Sequence, residues 1–377
     1  MRYGMLLIAL LLNAAPLTAA EPAPPTTNAA LKYWLAFANM NYDKDQEKII
    51  EDWNKVPLDA KVDKLLDNSR NHLREMHRGA QIEQCDWGLD YSDGVNMLLP
   101  HLGKARNLTR VAALDIRREF ARGNGRGAVQ TGLDALVMAR HVNSDYTLIS
   151  ILVRIVNEAT IFEALATGLP KVDAASLTKL AAALDAPRGG GSVVESIKAE
   201  KELMARWMIR QMKELEARKA GSYKEVFQLG MSESPEDKAR TQRVLDAADT
   251  FEKAVKMIED LMPVYDDLAK LYGLPAKEFD AQYPAYGKKA AAANPVAALL
   301  LPAMQNVAAA ERRNLTQRAL LRAAITIVQG GAEKAKETMD PFGDGPFEYR
   351  AFDGGFELKS KFVYKGNPVT LTVGHAK

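Results

Sequence analysis

Apolar residues recur at the spacing of an α-helix through almost the whole stretch from Ala29 to Lys336. Steps of three and four residues place side chains on one helical face, so this spacing predicts amphipathic helices rather than strands. Two Gly-Leu-Pro triplets, at residues 168–170 and 273–275, are typical of helix ends. The sequence therefore predicts a mainly α fold built of helical hairpins or a bundle, with a repeat-like stack as an alternative.

The clearest periodicity lies between residues 244 and 272, where apolar residues alternate at steps of four and three, as in a coiled-coil seam. Its positions are Val244, Ala248, Phe251, Val255, Ile258, Met262, Tyr265, Ala269 and Tyr272. Ser234 and Pro235 are expected to begin this arm, and Pro263 to kink it. A partner seam runs through residues 193–218. We predict a long antiparallel hairpin, with pairing to a second copy as the alternative.

The pattern changes after Pro346, where apolar residues begin to alternate with polar ones. A period of two residues predicts strands, and turn residues at 353–355 and 365–368 separate three such runs. We therefore expect residues 340–377 to form a small antiparallel β-meander packed on the helices.

The N-terminal residues have the layout of a secretory signal. Arg2 gives a positive start, Met5 to Ala15 is an apolar run, and small residues precede a cleavage point near Ala20. Because a bilayer span needs roughly 20 apolar residues, we expect a periplasmic or secreted chain with no membrane span after cleavage; an uncleaved anchor is the alternative. The expected organisation is a signal peptide (1–20), a flexible linker (21–28), a helical domain (29–187), the hairpin with its following helices (188–339) and the meander (340–377).

Composition and charge limit the classes of partner. The 377 residues carry a formal net charge of +2 at pH 7, which predicts no general affinity for nucleic acid or anionic membranes. Cys85 is the one cysteine, so the chain has no disulfide of its own. We expect Cys85 to be a small buried residue, with an intermolecular disulfide or a reactive thiol as alternatives.

Two groups of polar residues have spacings that favour structural roles. His72 and His77 lie five residues apart, which turns their imidazoles about 140° from each other on a helix. We therefore expect surface histidines rather than a zinc pair. Asp86, Asp90 and Asp93 match no calcium loop and are expected to cap turns.

Two further patterns also favour packing over chemistry. The glycines at 123, 125 and 127 lack the preceding strand and the following Lys-Ser of a phosphate-binding loop, so they predict a tight interhelical turn. A methionine stripe could bind copper(I), but core packing is the expected role. Its members are Met204, Met208 and Met212. His101 and His141 show no acidic partner in the sequence.

Two stretches resemble known groups of proteins. The segment from Cys85-Asp86-Trp87-Gly88 to Leu184 resembles large uncharacterised exported helical proteins of planctomycete-like bacteria. The C-terminal residues 340–343, 346–350 and 354–358 are similar to the C-terminal sheet of type II secretion pseudopilins.

The pseudopilin resemblance implies a related sheet and not a pilus subunit, because the N-terminus lacks the family's processing site and long assembly helix. Pseudopilin sheets bind calcium in this region. The resemblance therefore makes Asp340, Asp344 and Asp353 weak calcium candidates.

No catalytic motif is present, so no catalytic residue or cofactor is assigned and the sequence leans away from an enzyme. Long helical surfaces favour a binding or scaffold module that acts through protein partners or self-association. One alternative is an exported hydrolase with convergent carboxylates, which needs a deep cleft with carboxylates of raised pKa. The other is an accessory of a pilin-like or type II secretion system.

Overall fold

A computed structural model describes residues 27–187, 189–228 and 235–374, and it is mainly helical as predicted. The predicted signal peptide, most of the linker and Ser234 lie outside these residues. The helices are α1 Ala29–Ala38, α2 Lys44–Glu51, α3 Ala60–Asn68, α4 Arg70–Ala80, α5 Pro100–Ala121, α6 Gly125–His141, α7 Leu148–Gly168, α8 Ala174–Asp185, α9 Val193–Glu200, α10 Arg206–Arg218, α11 Pro235–Ala247, α12 Phe251–Glu259, α13 Met262–Tyr272, α14 Ala276–Ala293 and α15 Pro295–Gly330.

Side-chain caps begin most of the early helices. Asn28, Asp43 and Asp59 each accept a hydrogen bond from a backbone N–H in the first turn of α1, α2 and α3. Pro100 is the first residue of α5, where the missing N–H of proline removes no hydrogen bond from the helix. Helices α5, α6 and α7 pack against one another and supply much of the largest hydrophobic core.

The two arms of the predicted long hairpin pack against each other, but the second arm is not one continuous helix. Helix α9 packs against α13, and α10 packs against α12, which is the antiparallel order expected. The first arm runs from α9 through a π-helical turn, Lys201–Ala205, into α10. The predicted single second arm is wrong, because it is divided into α11, α12 and α13. The Thr250 side chain caps α12, and Pro263 lies in the first turn of α13 rather than kinking a longer helix.

The C-terminal residues form the predicted meander. Strands β1 Glu348–Phe352, β2 Gly355–Tyr364 and β3 Asn367–Gly374 make an antiparallel sheet in the order β1-β2-β3. In its register, Leu358 of β2 faces Leu371 of β3. The sheet packs on α7 and α15, and the Leu358 and Val373 side chains are completely buried there.

Helix α15 contributes side chains to two separate hydrophobic cores. At 36 residues it is roughly 54 Å long. Its first half packs with α9, α13 and α14, and its second half enters the same core as α5, α6, α8 and the sheet. This largest core therefore takes residues from both sides of the predicted boundaries at 187 and 339. Within the described chain, none of the helices has the length and apolarity required to cross a bilayer.

Candidate functional site

A cleft of about 220 Å³ opens between α6, α7, α8 and the middle of α15. Its volume is below the roughly 300–1,000 Å³ of pockets that hold drug-sized ligands. The lining residues come from helix faces with the spacing of one or two turns, such as Gln130, Asp134 and Val137 on α6. They are Ala80, Gln81, Gln130, Leu133, Asp134, Leu136, Val137, Arg140, Glu158, Phe162, Lys179, Ala183, Leu184, Ala186, Pro187 and Arg318.

Most of the lining side chains are apolar and belong to the packed core. Phe162 and Leu184 are almost fully buried, and Leu133 and Leu136 are each 9% exposed. These side chains also pack in the largest hydrophobic core, so helix packing fixes the cleft walls. An apolar wall with a few polar groups is the usual composition of a small-molecule site.

One ion pair closes the part of the cleft where α6 faces α7. Arg140 Nε lies 2.9 Å from Glu158 Oε1, and the two side chains are 13% and 1% exposed. Burial lowers the pKa of Arg140, the Glu158 charge raises it, and Arg154 and Arg318 lower it again. The Glu158 carboxylate is thus held by one guanidinium while two others lie within electrostatic reach of that pair.

Two further cations line the cleft without a carboxylate partner. Lys179 Nζ donates to the neutral Gln130 Oε1 at 2.7 Å. Arg318 is half-buried and forms no hydrogen bond or ion pair with the residues that the structure describes. Glu311 lies within its electrostatic reach but at a distance that forms no ion pair with it. The guanidinium of Arg318 is therefore available to a ligand.

Asp134 also lines the cleft, and it contacts His77. Its Oδ2 lies 2.7 Å from His77 Nδ1, and Gln130 Nε2 donates to its Oδ1 at 3.0 Å. Burial raises the pKa of Asp134, while the hydrogen bonds from His77 and Gln130 lower it. The Asp134 side chain is 7% exposed and that of His77 is 51% exposed, so the imidazole reaches solvent. A buried carboxylate thereby orients a partly exposed histidine.

A second polar cluster is completely enclosed. His101 Nε2 lies 3.2 Å from Asp145 Oδ2, and both side chains are 0% exposed. Ser150 Oγ donates to Asp145 Oδ1 at 2.5 Å, and the backbone N–H of Thr147 donates to the same atom at 2.9 Å. His101 therefore does have an acidic partner, contrary to the sequence analysis. No solvent reaches the pair, which lies where the first turn of α5 meets the segment that precedes α7.

The cysteine is also unsuited to chemistry. Cys85 is half-buried against the largest core rather than fully buried. Burial raises its pKa to about 12, although a hydrogen bond with Ser144 acts in the opposite direction. A thiol with so high a pKa is protonated at neutral pH and is a poor nucleophile.

The three calcium candidates occupy different surroundings. Asp340 is buried, and its Oδ2 accepts hydrogen bonds from Ser360 Oγ and the Lys361 N–H, both at 2.8 Å. Asp344 is exposed and lies 3.6 Å from Lys277, and Asp353 is exposed in the turn between β1 and β2. The described part of the chain holds no group of three or more histidine, cysteine or carboxylate side chains placed to share a metal ion.

The remaining predicted residues are structural. Asp86 accepts from the Gly88 N–H and Asp90 from the Ser92 N–H, which confirms their turn-capping role. His77 is exposed as expected. His72 is not a surface residue, because it is 7% exposed and its Nδ1 lies 3.4 Å from the Tyr42 hydroxyl.

The packing confirms the glycine prediction, and it confirms the methionine prediction for Met208 and Met212, whereas Met204 is half-buried in the π-helical turn. The glycine-rich break joins α5 to α6, where Asn124 caps α6 and Gly123 has a φ of +77°. Met212 is completely buried in the core formed by α10, α11 and α12, and Met208 packs against it.

The cleft residues were missed because they are distant in sequence. Asp134 and Arg140 lie on α6, Glu158 on α7 and Arg318 on α15, and only packing brings them together. One signal was available, since Arg154 and Glu158 are charged residues one turn apart in the mostly apolar α7, and both are buried. Charged residues on a helix that is apolar nearly all round are expected to pair or to face a site.

Comparisons with known proteins add no relative. The chain matches no protein-family model, no curated protein sequence and no solved structure. The resemblances to exported helical proteins and to pseudopilin sheets therefore stay predictions.

Proposed function

We propose that this chain is an exported binding protein whose small ligand occupies the cleft between α6, α7, α8 and α15. The observation that carries the proposal is the cleft's composition: packed apolar walls combined with cationic groups, one of which, Arg318, has no ion-pair partner among the residues that the structure describes. Preformed concave sites of this kind are the usual location of ligand binding.

The polar groups of the cleft favour binding over catalysis. No serine or cysteine of the described chain lines it, so no side-chain nucleophile of the usual kind is available. Glu158 is held by Arg140 and nearly inaccessible, which removes it as a partner acid for Asp134. The charges are thus arranged to hold a ligand.

The proposal is tested by filling the cleft. Ala183 on α8 lines it, and Ala183→Trp would place an indole in the space a ligand needs. Ala175→Trp makes the same change on the same helix at an exposed position. Ligand-observed NMR with a mixture of small acids, amides and amines should show binding to the wild type and to Ala175→Trp but not to Ala183→Trp. Equal binding to all three proteins would refute the cleft as the site.

Hydrolysis is the second candidate function, because Asp134, which lines the cleft, binds a half-exposed histidine in the arrangement expected of a general base. Asp134 binds Nδ1 of His77 and leaves Nε2 to face solvent, where it could activate a water molecule. Turnover of ester, amide or glycoside substrates that disappears in both His77→Asn and Asp134→Asn would favour this function. Turnover that survives both substitutions would exclude these two residues as its source.

Export rests on the sequence pattern of residues 1–20, and its test is the N-terminus of the protein recovered outside the cytoplasm. A new terminus close to Ala20 is expected, whereas retention of residues 1–20 would indicate an anchor. Partner binding, self-association and a role beside a secretion machine stay proposals. Exposed apolar residues next to and on the sheet, Met339 and Val363, are suitable positions for aspartate substitutions that should weaken such an association.

A further inference from the structure

We propose that the ligand of the cleft is a small organic monocarboxylate, held by Arg318 at its carboxylate and by the apolar walls along its body. This inference rests on the proposed function, since it assigns a chemical class to the ligand of the same site. Its test is arranged so that the ligand class and the site can fail separately.

The charge of the cleft sets the sign of the ligand. Three cationic side chains line it, namely Arg140, Lys179 and Arg318, against the carboxyl groups of Asp134 and Glu158. Glu158 is paired with Arg140, and Asp134 is engaged by His77 and Gln130, so neither carboxyl group forms an ion pair with Lys179 or Arg318. The charge left without a partner is positive, which attracts an anion and repels an amine.

The hydrogen-bond donors left for a ligand, on Arg318 and Lys179, limit how much negative charge the cleft can bind. Arg318 offers a planar guanidinium, which binds carboxylate through two parallel hydrogen bonds. Lys179 on α8 is exposed, and its ammonium is already engaged by Gln130. One free guanidinium and one shared ammonium satisfy a single negative charge, whereas a phosphate monoester presents more charge and three oxygens.

The walls determine the rest of the ligand. Leu133, Val137, Phe162 and Leu184 line the cleft with apolar surface, and a volume of about 220 Å³ admits only a compact body. An aliphatic or aromatic acid of a few carbons meets both requirements, because its apolar part replaces water at these walls.

The experiment compares four probes of one chain length: hexanoate, hexanamide, hexylammonium and hexyl phosphate. Their affinities are measured by isothermal titration on the wild type, Arg318→Gln, Arg318→Lys and the matched control Arg313→Gln. Arg313 lies on the same helix, stacks over the Tyr364 ring and does not line the cleft. Thermal unfolding of each variant establishes that it is folded.

Hexanoate should bind the wild type about tenfold or more tightly than hexanamide and hexylammonium, because a charge-assisted hydrogen bond is present only for the carboxylate. Arg318→Gln should remove that preference, Arg318→Lys should retain part of it, and Arg313→Gln should leave it intact. Loss of the preference in Arg313→Gln would show that overall charge, and not Arg318, selects the anion.

The contrary outcomes separate the two proposals. If hexanamide or hexylammonium binds as tightly as hexanoate and Ala183→Trp blocks it, the ligand class is wrong and the site stands. If hexyl phosphate binds more tightly than hexanoate, the ligand class is a phosphate ester and not a monocarboxylate. If every probe binds Ala183→Trp as tightly as it binds the wild type, the cleft itself is not the binding site.

Discussion

Removing the negative charge of Glu158 should destabilise the fold strongly. The Glu158 side chain is 1% exposed and its partner Arg140 is 13% exposed, so the pair is almost entirely out of water. Glu158→Gln would leave the Arg140 cation buried close to Arg154 and Arg318, which already oppose its charge. Breaking a buried pair on one side costs about 3–5 kcal/mol. The residual exposure of Arg140 places the expected loss near the lower limit, about 3 kcal/mol, or at least a hundredfold in the folding equilibrium.

Urea denaturation followed by circular dichroism at the helical band measures this loss. The matched control is Glu337→Gln, which removes an exposed pair with Lys334 at 2.8 Å and should leave the free energy of unfolding unchanged within error. A double variant with methionine in place of both Arg140 and Glu158 should recover most of the loss, because neither member of the pair is then left as a buried charge without its partner. A loss below about 1 kcal/mol for Glu158→Gln would refute the reasoning, since it would mean that water reaches Arg140.

Three further predictions test other parts of the fold. With a pKa of about 12, Cys85 should react with iodoacetamide at pH 8 about a thousandfold more slowly in the native chain than in urea, and the native rate should rise with pH. Because the folded pKa exceeds the unfolded one, the thiol's contribution to stability should decrease as pH rises above about 9. Gly168→Ala would place a methyl group in the Phe120 ring and should cost about 1–3 kcal/mol in urea denaturation. Asp340→Ala leaves Ser360 Oγ and the Lys361 backbone N–H without an acceptor and should lower the free energy of unfolding by about 1–3 kcal/mol. The melting temperature of the wild type should be the same in calcium and in a chelator.

Each of these has a clear contrary result. Equal labelling rates in buffer and in urea would show that Cys85 is an accessible thiolate. A neutral Gly168→Ala would show that α5 and α7 can separate without cost. A calcium-dependent rise in the melting temperature that Asp340→Ala abolishes would establish the metal site that the resemblance to pseudopilin sheets implied.

Local patterns predicted the secondary structure well where one interaction dominates. Asp86 and Asp90 cap turns because a short carboxylate reaches the N–H two residues on, and that geometry needs no tertiary contact. The seam from Val244 to Tyr272 correctly indicated a buried helical face. The sequence did not predict that this stretch is divided into three helices, because the apolar spacing continues across a short break. The breaks lie where Thr250 and Pro263 favour the start of a new helix.

The sequence by itself determined the helices, the C-terminal meander and the antiparallel pairing of the hairpin, because these depend on spacing along the chain. Only the tertiary structure decided that Asp134, Arg140, Glu158 and Arg318 line one cleft, and that Asp145 pairs with His101. Charges on separate helices have no periodic signature. Their meeting is decided by which apolar faces pack together, since the hydrophobic effect favours burial without specifying which polar groups are carried into contact.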